Sequence, residues 1–131
     1  MKSLLLDTTA YSHLLRGNTH VLDAIAEADT IYLSVIVLGE LHAGFEGGSK
    51  KKENRELLKL FLRKPTVKTL LVTPETAEIF GSLKHTLRQS GTPIPLNDVW
   101  IASQAIETGA PIATFDVHFR TIPGVRLIDL T

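Results

Sequence analysis

Lys2–Ala10 reads KSLLLDTTA, an unbroken apolar run that stops at a carboxylate and two hydroxyls. Three consecutive leucines bounded by small polar residues suit a short strand buried on both faces. Asp7-Thr8-Thr9 is the chemistry of a helix start. The stretch therefore predicts a strand turning directly into a helix. Asp7 has two readings at that junction. It is a helix cap, or it is a carboxylate at the carboxyl edge of a sheet, where α/β domains build their sites.

The same alternation continues along the chain. Residues 3–6 form the first strand and Asp7 to Arg16 the first helix, closed by Gly17-Asn18. Val21, Leu22, Ile25 and Ala26 have helical spacing and predict a helix from Thr19 to Ala28. Thr30 to Leu33 is a β-like run, and Ser34 caps a helix through Val35, Leu38, Leu41 and Phe45 that Gly47-Gly48-Ser49 ends. Lys51 to Arg63 is amphipathic, with Leu57, Leu58, Phe61 and Leu62 on its apolar side, and Pro65 stops it. Val67 to Val72 is the next strand. Thr73-Pro74-Glu75 opens a helix with proline at its first position, running to Ser90-Gly91. After a stiff Thr92–Asn97 loop, a helix runs from Asp98 to Glu107, ending at Gly109. Pro111 to Phe115 and Gly124 to Ile128 are the last strands.

Strands separated by helices imply right-handed crossovers and a mainly parallel sheet covered on both faces. The fold class is α/β, a three-layer α/β/α sandwich, as one domain over residues 1–131. With 44% hydrophobic and 21% charged residues the composition is that of an ordinary globular chain. The chain has no cysteine, which excludes disulfides and thiolate metal sites. No membrane span or signal peptide is legible, and a cytoplasmic protein is the expectation.

In a parallel sheet the carboxyl ends of the strands share one edge. Asp7 and Asp116 each follow a predicted strand, so central positions for both would turn the two carboxylates toward one crevice. Asp98 stands in the first turn of its helix, where the positive end of the dipole welcomes an acid. It is a cap, or, if Asn97 caps instead, it is free for chemistry. Glu40 is a charge within the most apolar helix, on a narrow solvent face or aimed into a site. Gly39 beside it suggests a close approach. If the four acids meet, their repulsion calls for a cation. An all-oxygen ligand set suits a hard metal, Mg²⁺ or Mn²⁺. Thr8, Thr9 and Thr114 are hydroxyls suited to supporting such a centre, or simply to turns.

Four segments are similar to the PIN-domain nucleases, and within them to the VapC-type toxins of toxin–antitoxin pairs: LLLDTTAYSHLL, LSVIVLGELHAG, PLNDVWIASQA and ATFDVHFRTIPGVRLI. They keep the order and spacing of that family across nearly the whole chain. The resemblance implies a compact α/β/α fold, usually a homodimer, with metal-dependent endoribonuclease activity on RNA. It also implies inhibition by a cognate, VapB-like antitoxin in the acidic groove. Asp7, Glu40, Asp98 and Asp116 would be the catalytic, metal-binding quartet, with Asp7 and Asp98 foremost in metal contact. Two positions depart from the usual pattern: Thr9 replaces a common asparagine, and His118 stands where a further acid is common. His118 contacts substrate or is a satisfied structural histidine, the second being the expectation; the other histidines are expected to be surface or packing residues, and Trp100 core.

Net charge is zero, yet Lys50, Lys51, Lys52, Arg55, Lys59, Arg63, Lys64 and Lys68 hold eight of the fourteen basic residues. That run is a solvated helix face, or a surface that guides a polyanion. Dehalogenase-type phosphatases and receiver domains fit poorly, because Thr9 and Thr73-Pro74 replace the acids they need. A PIN-like module that binds RNA or a partner without cutting is the remaining alternative.

Overall fold

The computed structural model of the chain describes residues 2–130. Its elements run β1 (Ser3–Leu6), α1 (Thr8–Leu15), α2 (Thr19–Glu27), β2 (Thr30–Ser34), α3 (Val35–Glu46), α4 (Lys51–Leu62), β3 (Val67–Leu70), α5 (Pro74–Gln89), α6 (Leu96–Thr108), β4 (Ile112–Ala113) and β5 (Leu127–Ile128). A short 3-10 helix, Val117–Thr121, lies between β4 and β5.

All five strands are parallel, in the order β3-β2-β1-β4-β5. β1 is central. Leu5 pairs with Tyr32 on one side and with Ile112 on the other, and Leu4, Leu5 and Leu6 are all buried. That placement explains a leucine run without alternation. The chain moves outward from β1 to β3, then returns past β1 to β4. Right-handed connections of this order put helices on both faces of the sheet, which is the expected three-layer sandwich. They also create a crevice between the carboxyl ends of β1 and β4, where the direction of winding reverses.

Local chemistry sets the element ends. Ser34 Oγ accepts from the Ile36 N–H at 3.0 Å and starts α3. Thr73 and Thr76 form a reciprocal capping box before α5, with Pro74 at the first position. Gly109 ends α6 in the left-handed region at φ 73° and turns the chain into β4.

Several expectations are corrected. α6 begins at Leu96 rather than Asp98, because Pro95 occupies the N-cap position with no side-chain cap. Its carbonyl receives the Asp98 and Val99 N–H groups. Asn97 therefore lies inside the helix and is not its cap. β3 stops at Leu70, and the Leu71 carbonyl turns to accept from Gln104 Nε2 at 3.3 Å. Gly39 is exposed, and a Cβ placed there meets nothing within 4 Å, so no close approach explains it among the described residues. Trp100 is half-buried rather than core, stacked on Phe80 with ring centroids 3.8 Å apart.

Candidate active site

The crevice is built from β1 and β4 outward. The Asp7 N–H donates to the Ala113 carbonyl, so the two strands stay paired up to the first acid. Asp7 is only 3% exposed. Its Oδ1 accepts from the Ala10 N–H at 2.8 Å, which caps α1, and from Thr9 Oγ1 at 2.7 Å. Its Oδ2 accepts from Thr114 Oγ1. The two readings of Asp7 are thus compatible, because one oxygen caps the helix while the other faces the β4 side. Burial holds the Asp7 carboxyl above its usual range, its three hydrogen bonds pull the other way, and Asp116 adds to the rise.

Thr9 and Thr114 do more than touch Asp7. Thr9 Oγ1 also accepts from the Phe115 N–H at 3.0 Å, and Thr114 Oγ1 accepts from the Asp116 N–H at 2.9 Å. Each hydroxyl therefore donates to Asp7 and receives from the turn after β4. Together they fix where Asp116 begins. Asp116 in turn caps the 3-10 helix, its Oδ1 accepting from the His118 N–H at 2.9 Å.

Glu40 and Asp98 arrive from α3 and α6, two helices in contact with each other. Glu40 Oε1 accepts from Thr8 Oγ1 at 2.6 Å, tying α3 to the start of α1. Asp98 is half-buried in the first turn of α6. Its carboxyl is pushed up to about 6, first by burial and then by the Asp116, Glu40 and Asp7 charges, with His118 opposing. The other three predicted acids thus all act on Asp98 across one crevice. Oxygen ligand atoms of Asp98 and Asp116 and a ring nitrogen of His118 lie within 4.8 Å of one another. That grouping adds His118 to the acids expected at the site.

His118 is partnered by an acid of the crevice. It is exposed, and its Nδ1 lies 2.8 Å from Asp116 Oδ1. A 3-10 turn beginning at an aspartate brings the residue two positions on back to the same carboxylate, so the Asp116-Val117-His118 spacing held the signal. His13 is a packing residue, as expected. Its ring stacks on Phe115 at 4.0 Å, and its Nδ1 donates to the Thr9 carbonyl at 2.8 Å. No helix among the described residues is long and apolar enough to cross a membrane.

Carboxylates converging on the switch point of a parallel sheet define an α/β domain with an acidic cluster at its carboxyl edge. The PIN domain family model matches residues 4–125. Ribonuclease VapC2 of Rickettsia felis is 34% identical over 107 residues, 81% of this chain and 78% of that protein. Ribonuclease VapC5 of Mycobacterium tuberculosis is 26% identical, covering 95% of this chain and 91% of its own. In solved structures, DNA-bound VapBC from Salmonella typhimurium matches with a TM-score of 0.88 at 25% identity, over 100% of both chains. VapBC2 from Rickettsia felis, bound to a promoter DNA fragment, gives 0.83 at 29% identity over 96% of this chain and 97% of that one. The chain belongs to the PIN-domain family, as its four motifs suggested.

Proposed function

We propose that this protein is a metal-dependent endoribonuclease toxin that hydrolyses RNA phosphodiester bonds and is held inactive by a cognate VapB-like antitoxin. The observation that carries the reading is the convergence of Asp7, Glu40 and Asp116 on Asp98, whose carboxyl is pushed up to about 6 first by burial and then by those three charges. Like charges concentrated on a half-buried group are costly in a protein with nothing to bind there. The relatives' names, ribonuclease VapC, and the VapBC complexes among the solved structures support the same reading.

The donor set fits Mg²⁺ or Mn²⁺. It is all carboxylate apart from His118, and carboxylate oxygens select hard divalent cations. Asp98 and Asp116 would be the direct ligands. Asp7 has one lone pair of Oδ2 left after its hydrogen bonds and would contribute through it. Glu40, anchored by Thr8, would complete the negative field. A bound cation supplies Lewis acidity and a water of lowered pKa for attack on phosphorus. The protein's own part is orientation. Thr9 and Thr114 lock Asp7 and the Asp116 turn in register, and the central strands beneath exclude bulk solvent. His118 would either join the ligands or hold the Asp116 carboxylate in one rotamer. A homodimer is the proposed assembly, with the antitoxin covering the acidic crevice.

The test is cleavage of mixed RNA with Mg²⁺ or Mn²⁺, comparing the native protein, Asp98→Asn and the native protein with chelator. Cutting that needs metal and disappears in Asp98→Asn supports the nuclease reading. A folded, antitoxin-free protein that binds metal and cuts no RNA would favour the binding-module alternative instead.

A further inference from the structure

A cleft of about 270 Å³ opens directly beside Asp116, between the turn after β4 and the end of β5. Phe115, Val117, Leu127 and Ile128 supply apolar wall, and Arg120 lines it as well. Larger space exists elsewhere, such as a depression of about 450 Å³ bordered by Lys2, Gly109, Pro111 and Arg126. That one lies at the amino ends of the strands, remote from the acids.

From these features we infer that the Asp116 cleft is a nucleobase subsite, seating the base next to the phosphate held at the acid centre. The inference rests on the nuclease reading and names part of its substrate. Size is the first reason. Ligand pockets start near 300 Å³, so this cleft suits one base and not a longer ligand. Shape and chemistry are the second. Bases are flat, apolar on their faces and polar at their edges, and RNA-binding proteins read them by packing the faces and hydrogen-bonding the edges. Here Phe115, Val117, Leu127 and Ile128 offer apolar surface to a base face, beside the polar groups of Thr114, Asp116 and Arg120 that can meet its edge. Rigidity is the third. Phe115 is held by the stacked His13 ring and by its own N–H on Thr9, so this wall is preformed.

The charges choose between base and phosphate. Asp116 lines the cleft and would repel a phosphate placed inside it. Carboxylate oxygens accept from the exocyclic amino groups of adenine, cytosine and guanine, and uracil has no such group. Arg120, exposed on the 3-10 helix, stands at the same cleft and can take the phosphate of the seated nucleotide outside it. The subsite therefore prefers an amino-bearing base.

The experiment is an NMR titration of the antitoxin-free protein with the four ribonucleoside 5′-monophosphates, with ribose 5-phosphate as the control lacking a base. Expected are shifts at Val117, Leu127 and Ile128, strongest for the amino-bearing nucleotides, weaker for uridine monophosphate and absent for ribose 5-phosphate, which moves Arg120 alone. Arg120→Ala should weaken binding, and Val117→Trp, which fills the cleft from an exposed position, should abolish it. In parallel, cleavage of a randomised RNA pool should show a base preference beside the cut that Val117→Trp flattens. Nucleotide binding in the cleft without RNA cutting would keep the subsite and remove the nuclease reading. RNA cutting with no shifts in the cleft, or with ribose 5-phosphate binding equally well, overturns the subsite and leaves the nuclease reading intact.

Discussion

At the scale of single residues, the chemistry of the crevice depends on how the buried Asp7 carboxyl is held. Each of its oxygens has a hydroxyl donor, Thr9 on one and Thr114 on the other. Thr114→Val keeps the shape of the side chain but leaves Oδ2 without its donor. Removing one partner of a buried polar group costs about 1–3 kcal/mol, and that loss is expected in urea unfolding at pH 7. Asp7 already sits above its usual carboxyl range, and without Thr114 it rises further. Protonation then relieves the unpaired charge, so the deficit of Thr114→Val should shrink as the pH is lowered. A deficit independent of pH would mean that Thr114 acts through packing and not through Asp7. The four acids were legible in sequence because each interrupts or borders an apolar segment. The hydroxyl network was not. Thr9 and Phe115 are 106 positions apart, and only the adjacency of β1 and β4 brings them together.

At the scale of elements, two glycines in helices that frame the crevice should respond in opposite ways to alanine. Gly109 has φ 73° at the end of α6, and a Cβ there would meet no atom within 4 Å. The cost of Gly109→Ala is then purely conformational, about 1–2 kcal/mol for an L-residue in the left-handed region. Gly39 is in the right-handed helix α3 with equally open surroundings. Gly39→Ala should therefore stabilise by up to about 1 kcal/mol. Thermal unfolding of both variants checks the signs. The same comparison marks a limit of sequence reading, since an isolated glycine beside an acid looks identical whether it admits a neighbour or faces open solvent. Boundaries failed for related local reasons: Pro95 could start α6 without a polar cap, which the sequence offered at Asn97 and the fold did not use. The basic helix α4 was legible as a pattern, with its role left open. Lys51 is committed to Glu46 at 2.8 Å, whereas Lys52 and Arg55 border a shallow exposed depression. If this face attracts RNA, Lys52→Glu with Arg55→Glu should lower RNA affinity and flatten its salt dependence, since each phosphate contact contributes to that slope. Metal binding should be unchanged. Unchanged affinity would make the face plain solvated surface.

For the whole molecule, the acid cluster makes stability depend on pH and metal together. Asp98 titrates near 6 in the fold against about 3.9 for a free aspartate. The folded protein therefore holds the Asp98 proton more tightly than the unfolded chain does. For a group raised in this way, the contribution to stability is full below the unfolded value and is lost as pH rises through the folded one. In metal-free protein at pH 7.5, ionised Asp98 is a net cost on the order of 1 kcal/mol once screening by water at this half-buried site is allowed for. Asp98→Asn should then raise the metal-free melting temperature at pH 7.5 and leave it nearly unchanged near pH 4, where native Asp98 is already neutral. Divalent cation reverses the order. A ligand at 100 times its dissociation constant stabilises by about 2.7 kcal/mol, and the native protein should gain this at pH 7.5 whereas Asp98→Asn gains little. The gain should fade as acid protonates the ligands, because cation and protons compete for the same oxygens. Melting curves of both proteins at several pH values, with Mn²⁺ and with chelator, measure all of this at once. A metal-free Asp98→Asn protein less stable than native at pH 7.5 would show that Asp98 is chiefly a helix-starting acid, its charge favoured by the α6 dipole over the repulsion of its neighbours. A more stable one that no longer responds to metal would show that the fold tolerates this charge for the sake of the cation.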